Sequence, residues 1–327
     1  MKAIAVRGEP GHPELRWEEA PAPEYGPADV LVDVKATAVN RADLSQARGN
    51  YPPPPGASEI LGLEMAGEVR AVGPDVFGGW RPGDRVFALL PGGGYAEQVA
   101  VPSGMLIRIP DNWSYTDAAA VPEVWLTAYL NLFIEGGLKP GETALLHAGA
   151  SGVGTAGIQL VVDAGSRAFV TVGSDEKAER CRELGATLAI NYKAADFVAA
   201  VMEATDGKGV DVILDPVGGP YLARNVTALA RFGRLIQIGL LAGPSGELNL
   251  GQVMGKRLRI IGSTLRNRPL NEKIALTRRF ETEILPKLAC GQLKPIIDRV
   301  FPIAQAQDAH QYVLENRNTG KVVLSLA

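Results

Sequence analysis

Cysteine is nearly absent: Cys181 and Cys290 are the two in 327 residues. Two thiols cannot build a disulfide framework, so the expected setting is a reducing, cytoplasmic one. Histidine is scarce as well, with His12, His147 and His310 scattered along the chain. Neither residue type shows the ligand spacing of a zinc site, and a Cys-rich metal lobe is missing. No run of about 18 apolar residues occurs, so no membrane span is expected. The stretch Met1–Pro10 lacks a basic region followed by an apolar one, the pattern of a secretory leader. Charge of one sign is not in excess: 33 Lys and Arg face 36 Asp and Glu, a formal net charge of −3. Without a basic stripe, neither nucleic acid nor an anionic membrane is an expected partner.

Apolar residues are plentiful. At 46% hydrophobic and 21% charged, the chain can bury a large core, and its length suits two domains. Its 38 glycines and 23 prolines are dispersed, so they read as turns rather than as linker.

The rhythm changes along the chain. Ala3–Val6, Val30–Val39, Met65–Val72 and Arg85–Leu89 read as strands, separated by turns such as Pro10-Gly11 and Pro82-Gly83-Asp84. A short helix is expected at Arg41–Arg48 and another over Asp117–Phe133, interrupted near Pro122. From Thr143 to Gly262 strands and helices alternate, with strands at Thr143–His147, Ala168–Val172, Leu188–Ile190, Val210–Leu214, Arg234–Ile238 and Leu258–Gly262. Such alternation predicts βαβ units and a parallel sheet. A long helix over Asn271–Cys290, a helix over Ala304–Glu315 and a strand at Val322–Leu326 are expected last. The fold class is therefore α/β: a doubly wound parallel domain at 124–264, inserted between two pieces of a second domain at 1–123 and 265–327. Its ligand is expected outside the carboxyl ends of the parallel strands, where the two domains face each other.

The glycine-rich segment His147-Ala148-Gly149-Ala150-Ser151-Gly152-Val153-Gly154 follows a strand and opens a helix. Small residues there let backbone amides approach a pyrophosphate: Gly149 suits a tight turn and Gly154 close helix–strand packing. Ser151 replaces the usual second glycine but is small and can donate. Gly149-Ala150-Ser151 also resembles the start of a nucleophile elbow, but that motif needs glycine where Val153 stands. His147, at the end of a buried strand, reads as a core residue rather than a general base.

The second parallel strand ends in Gly173-Ser174, where an NAD-binding domain carries a carboxylate for the ribose. Glycine leaves room for a 2′-phosphate. Lys177, in the first turn of the next helix, sits poorly with the helix dipole unless an anion is near. Ser174 and Tyr192 add hydroxyl donors. Asp175 and Glu176 fit the dipole at the helix start. The set predicts NADPH; a plain surface lysine is the other reading of Lys177. Hydride transfer also needs an oxyanion stabilised by a metal or by hydrogen-bond donors. Ile60-Leu61-Gly62-Leu63-Glu64 has an apolar residue where a ligand would serve, so donors are expected instead, and a quinone needs no Lewis acid.

Asn40-Arg41-Ala42-Asp43, Arg48-Gly49-Asn50-Tyr51, Gly56–Glu64, His147–Gly154, Ile190-Asn191-Tyr192 and Gly320-Lys321-Val322-Val323-Leu324 together carry a resemblance. The sequence resembles the zinc-independent, zeta-crystallin-like quinone oxidoreductases of the medium-chain dehydrogenase/reductase superfamily, especially their stress-inducible NADPH quinone reductase branch. The resemblance spans essentially the whole chain. It implies a GroES-like β-barrel catalytic domain, a Rossmann domain and a homodimer. It implies that Asn40, Tyr51 and Thr127 line the nicotinamide site. Gly239 and Leu240 would meet that end of the cofactor by backbone, and Ser174, Lys177 and Tyr192 match the 2′-phosphate pocket. Arg317 would reach the cofactor from the carboxyl-terminal segment, and Thr264 is a further contact. Tyr51, assisted by Asn40, would donate to the quinone oxygen. Plain alternatives stay open: Asn40 as a helix cap, Tyr51 as a cover for the core edge, Arg317 as a surface charge. The implied activity is NADPH-dependent reduction of quinones, ortho-quinones among them, by hydride or single electrons. Reduction of an α,β-unsaturated carbonyl, or NADPH binding without turnover, remain as alternatives.

Overall fold

The computed structural model describes every residue except Pro10 and Ala327. The turn expected at Pro10-Gly11 thus lies partly outside the described residues. The chain divides into two compact units, residues 1–126 with 265–327, and residues 127–264.

The first unit begins with a hairpin of β1 (Lys2–Glu9) and β2 (His12–Glu19). The sequence reading missed β2 because HPELRWEE presents few apolar residues, of which Leu15 is buried. Strand β3 (Asp29–Val39) is the hub. It pairs with β4 (Glu64–Val72) along one edge. Along the other it takes β6 (Gln98–Pro102) beside its first half and the chain's last strand beside its second. Register shifts at Leu31/Val32 and Val34/Ala36 mark irregularities that bend a strand and curve its sheet. Strands β5 (Arg85–Leu89) and β7 (Ile107–Arg108) extend the far side. Helix α1 (Arg41–Ala47) follows β3, and α2 (Tyr115–Ala119) is capped by Ser114, whose side chain accepts from the Asp117 amide. Helix α3 (Pro122–Tyr129) has proline at its first position, where no N–H is needed. Its continuation, which belongs to the second unit, widens into a π-helical stretch at Leu130–Glu135.

The second unit is a six-stranded parallel sheet. Its strands are β8 (Thr143–Leu146), β9 (Arg167–Val172), β10 (Leu188–Asn191), β11 (Val210–Asp215), β12 (Leu229–Gln237) and β13 (Arg259–Gly262). Their order is β10-β9-β8-β11-β12-β13, so the winding reverses between β8 and β11. Ligands bind outside the carboxyl ends of strands at such a reversal. The helices are α4 (Gly152–Asp163), α5 (Asp175–Glu183), α6 (Phe197–Ala204), α7 (Tyr221–Ala228) and α8 (Leu250–Lys256). Leu145, Phe169, Ile190, Phe197, Val201, Ile213 and Leu235 form its buried core. Helix α8 was not foreseen. Its Lys256 Nζ donates to the carbonyls of Val226, Thr227 and Leu229, which closes the carboxyl end of α7.

The chain then returns to the first unit. The single helix expected over Asn271–Cys290 is two, α9 (Leu270–Glu283) and α10 (Leu285–Ala289). Pro286 supplies no N–H and its ring opposes a continuous turn, so the break falls at Ile284. Strand β14 (Ile297–Pro302), also unforeseen, pairs in parallel with β15 (Lys321–Ser325). Val300 is 45% exposed, so β14 lacks the alternation by which a strand is recognised. Helix α11 (Ala306–Leu314) connects the two. Ile4, Val39, Leu44, Leu61, Tyr95, Phe301, Val313 and Leu324 pack as this unit's core.

Candidate functional site

The glycine-rich turn lies between β8 and α4. Its left-handed residue is Ala148, with φ 55°, while Gly149 is needed for another reason. A Cβ on Gly149 would stand 2.5 Å from Val170 Cβ on β9. One on Gly154 would stand 2.3 Å from the Gly149 carbonyl oxygen. The tight-turn role expected of Gly149 thus passes to Ala148, and both glycines serve close approach. Ser151 caps α4, its Oγ accepting from the Gly154 amide at 3.1 Å. Ala150 is buried beside it. The Gly152 and Val153 amides, at the first turn, have no intrahelical acceptor and carry the positive end of the helix dipole. This cradle fits a dinucleotide pyrophosphate.

His147 is no base. Its Nε2 lies 2.7 Å from Asn225 Oδ1, and Asn225 Nδ2 donates to Asp215 Oδ2 at 2.8 Å. That fixes the amide, so Nε2 carries the hydrogen and Nδ1 accepts from Thr171 Oγ1 at 2.9 Å. Burial lowers the pKa and keeps the ring neutral. With Ser151 Oγ spent on the cap, nothing is left of a serine-hydrolase arrangement.

At the end of β9 the structure gathers four of the expected residues. Ser174 caps α5, accepting from the Lys177 amide at 3.3 Å. A Cβ on Gly173 would lie 3.1 Å from the Tyr192 hydroxyl oxygen, so glycine is what lets that phenol in. Asp175 is tied to Asn191 Nδ2 at 3.0 Å. The Tyr192 hydroxyl and the Ser174 cap thus flank Gly173, with Lys177 in the first turn of α5. Gly239 and Leu240 follow β12, and Thr264 follows β13, on the same carboxyl side of the sheet. Gln237 Nε2 donates to the Gly239 carbonyl at 2.6 Å and shapes that loop. Thr127 opens the unit, its carbonyl accepting from Asn131 Nδ2 at 2.8 Å.

In the first unit Asn40 and Tyr51 sit in a dense polar cluster. Asn40 stands at the start of α1, but its side chain turns inward. Nδ2 donates to Glu64 Oε1 at 2.7 Å, and Oδ1 accepts from Lys321 Nζ at 2.7 Å. Asp43 supplies the helix cap instead, accepting from the Asn40 amide at 2.8 Å. Lys321 Nζ also reaches Glu64 Oε1 at 2.7 Å and the Val39 carbonyl at 3.1 Å. Glu64 is fully buried and Lys321 nearly so, at 3% side-chain exposure. The other Glu64 oxygen accepts from the Glu123 amide at 2.9 Å. Tyr51 is half-buried under the Arg266 guanidinium, which lies 5.2 Å from its ring centre. Arg266 donates to the Pro91 carbonyl and to Gln46 Oε1, both at 2.7 Å. Burial, then the Glu123 charge, raise the Tyr51 pKa. Arg317 is engaged elsewhere, over the Tyr312 ring at 4.8 Å and 3.6 Å from Glu315.

Glu64, Lys321, Asp43, Glu123 and Arg266 were missed as site residues. The one available signal was Lys321 and Glu64 each lying among apolar neighbours in strand-like segments. Among the described residues no three His, Cys, Asp or Glu side chains gather as a metal-holding group. No described helix is long and apolar enough to cross a membrane.

Two family models match: the alcohol dehydrogenase GroES-like domain over residues 26–111 and the zinc-binding dehydrogenase domain over 152–281. Quinone oxidoreductase-like protein 2 of Mus musculus is 31% identical over 310 residues, 94% of this chain and 88% of that protein. The chain belongs to the medium-chain dehydrogenase/reductase superfamily, in its quinone oxidoreductase-like branch. The synaptic vesicle membrane protein VAT-1 homolog of Rattus norvegicus is 32% identical over 99% of this chain and 84% of its own length. Among solved structures, a quinone oxidoreductase of Pseudomonas syringae superposes with TM-score 0.87 at 31% identity, covering 99% of each chain. A mycobacterial protein complexed with NADPH gives TM-score 0.87 at 28% identity, covering 99% of this chain and all of that one. The CurK enoyl reductase gives 0.84 at 28%, covering 99% and 98%. This member of the superfamily is an oxidoreductase with an NAD(P)-binding Rossmann-like domain and a GroES-like domain.

Proposed function

We propose that this medium-chain oxidoreductase uses NADPH to reduce quinones without a metal ion. The single observation that supports it most is the set Gly173, Ser174, Lys177 and Tyr192 beside the glycine-rich cradle, with glycine rather than a carboxylate directly after β9 and Asp175 turned to Asn191. The cofactor supplies hydride. The cradle amides of Gly152 and Val153 hold its pyrophosphate, and Thr127, Gly239, Leu240 and Thr264 stand at the nicotinamide end. The Tyr51 hydroxyl donates to the quinone oxygen, and Arg266 over its ring holds the phenol in place, while burial and the Glu123 charge keep its proton on. Asn40, locked by Glu64 and Lys321, forms a rigid wall beside it rather than a mobile donor. The missing zinc ligand set agrees with an acceptor already poor in electrons.

Steady-state rates with NADPH or NADH, against 1,2-naphthoquinone or an alkenal, test the reading. NADPH with the quinone is the favoured pair. A large preference for the alkenal would shift the assignment to double-bond reduction, the reading that likeness to an enoyl reductase favours. Tight NADPH binding with no turnover of any acceptor would point to a binding protein. We further propose a homodimer through β13, an edge strand of the parallel sheet on which Ile260 is 41% exposed. Sedimentation of Ile260→Lys, expected as monomer, checks this.

A further inference from the structure

Reduction of a quinone by hydride consumes one proton that the cofactor does not bring. Three carboxyl groups stand in the Tyr51 cluster, and they differ in one respect. Glu64 spends Oε1 on Asn40 and Lys321 and Oε2 on the Glu123 amide. Asp43 spends Oδ2 on the Asn40 amide and Oδ1 on the Gly62 amide at 3.0 Å. The Glu123 carboxyl, in the first turn of α3, receives no hydrogen bond from any described residue. Nor do the nearby cations claim it. Arg266 is committed to Pro91 and Gln46, and Lys273 Nζ to the Arg266 carbonyl at 3.2 Å.

We propose that the Glu123 carboxyl is the acid that protonates the reduced quinone at the oxygen held by the Tyr51 hydroxyl; this rests on the quinone-reductase reading. The electrostatics of the cluster suit the role. Burial, then the Glu64 charge, push the Glu123 pKa up to about 8, with Asp43 adding to it, while Lys321 and Arg266 pull it back. Glu123 therefore carries a proton at neutral pH, near the value an acid catalyst needs. Lys273 and Tyr51 also feel its charge. The other buried donor pair is unsuited. Tyr95 hydroxyl and His310 Nε2 meet at 3.1 Å, but burial drives His310 down to about 3 and Tyr95 far up, so neither releases a proton at neutral pH.

The step balances. The hydride leaves C4 of the dihydronicotinamide with its electron pair and bonds to the quinone, which becomes a hydroquinone monoanion. The Glu123 O–H bond breaks, its proton forms the second O–H of the hydroquinone, and the carboxylate takes a new proton from water.

Glu123→Gln and Glu123→Asp test the assignment. In the cofactor-free protein, infrared difference spectra should show a protonated carboxylic acid band that titrates near pH 8 and is absent in Glu123→Gln. With NADPH and 1,2-naphthoquinone, Glu123→Gln should lower kcat about 10²-fold at unchanged NADPH affinity. It should also remove the alkaline fall of kcat, and Glu123→Asp should restore part of the rate. Wild-type turnover with an unchanged pH profile and rate in Glu123→Gln would overturn the role of Glu123 alone, as would absence of the infrared band. Absence of quinone turnover in the wild type would overturn the reading beneath it.

Discussion

Removing the Lys321 ammonium tests whether the buried cluster is held by charge. Its three N–H bonds go to Glu64, Asn40 and Val39, within 3.1 Å. Lys321→Met keeps the length of the side chain and deletes all three. Glu64, wholly buried, then faces Asp43 and Glu123 with no adjacent cation. Breaking a buried pair from one side costs about 3–5 kcal/mol, because a charge is left uncompensated. For a unit of this size each kcal/mol moves Tm by roughly 2–4 °C, so a fall of about 6–20 °C is expected by calorimetry. Adding Glu64→Gln removes the stranded charge while leaving an oxygen for Asn40. The double variant should regain more than half of the loss, a coupling that independent sites do not show. A single variant within about 1 kcal/mol of the wild type would refute the reasoning, since surface pairs behave that way. Equal loss in single and double variants would place the cost in packing rather than charge.

Three further outcomes follow from the geometry. Lys177→Ala should weaken NADPH binding at least about tenfold while leaving NADH within twofold, as expected for loss of a charged hydrogen bond to phosphate; equal effects by fluorescence titration would remove the 2′-phosphate assignment. Gly149→Ala puts a methyl 2.5 Å from Val170 Cβ, so overpacking by about 1–3 kcal/mol and loss of cofactor binding are expected in urea melts and titrations. His310 stays neutral in the fold down to about pH 3, whereas the unfolded chain takes its proton near 6.5. The unfolded state thus binds more protons across that window, and stability falls as pH drops through it by up to about 1.4 kcal/mol per unit. Between pH 6.5 and 5 the wild type should lose about 1.6 kcal/mol more than His310→Gln; parallel urea curves would contradict this.

The second unit was legible because its signals are local. Each strand is a short apolar run, each helix follows within a few residues, and the glycines of the cradle are contiguous. The left-handed conformation of Ala148 was not legible, since alanine carries no local preference for it and the neighbouring glycines are the residues that suggest such a turn. Strands β2 and β14 escaped because both carry many polar residues. The cluster around Tyr51 was half legible. Asn40 and Tyr51 lie in segments that resemble a family, but the groups that orient them come from distant positions. Glu64 meets Asn40 across 24 residues and Lys321 across 257. In sequence such charges look like solvated ones, and it takes the pairing of β15 with β3 to bring Lys321 beside Asn40.

That pairing has a consequence for how the chain comes off the ribosome. The parallel-sheet unit is one unbroken stretch and can condense as soon as Thr264 emerges. The other unit owns both ends of its sequence and must wait for its last strand. Until Lys321 appears, the Glu64 carboxylate lacks its counter-ion, and β3 keeps half of one edge open to any strand that comes by. A chaperone that shields extended edges should therefore bind the nascent chain late, after the first unit's opening strands are made and before β15 closes them.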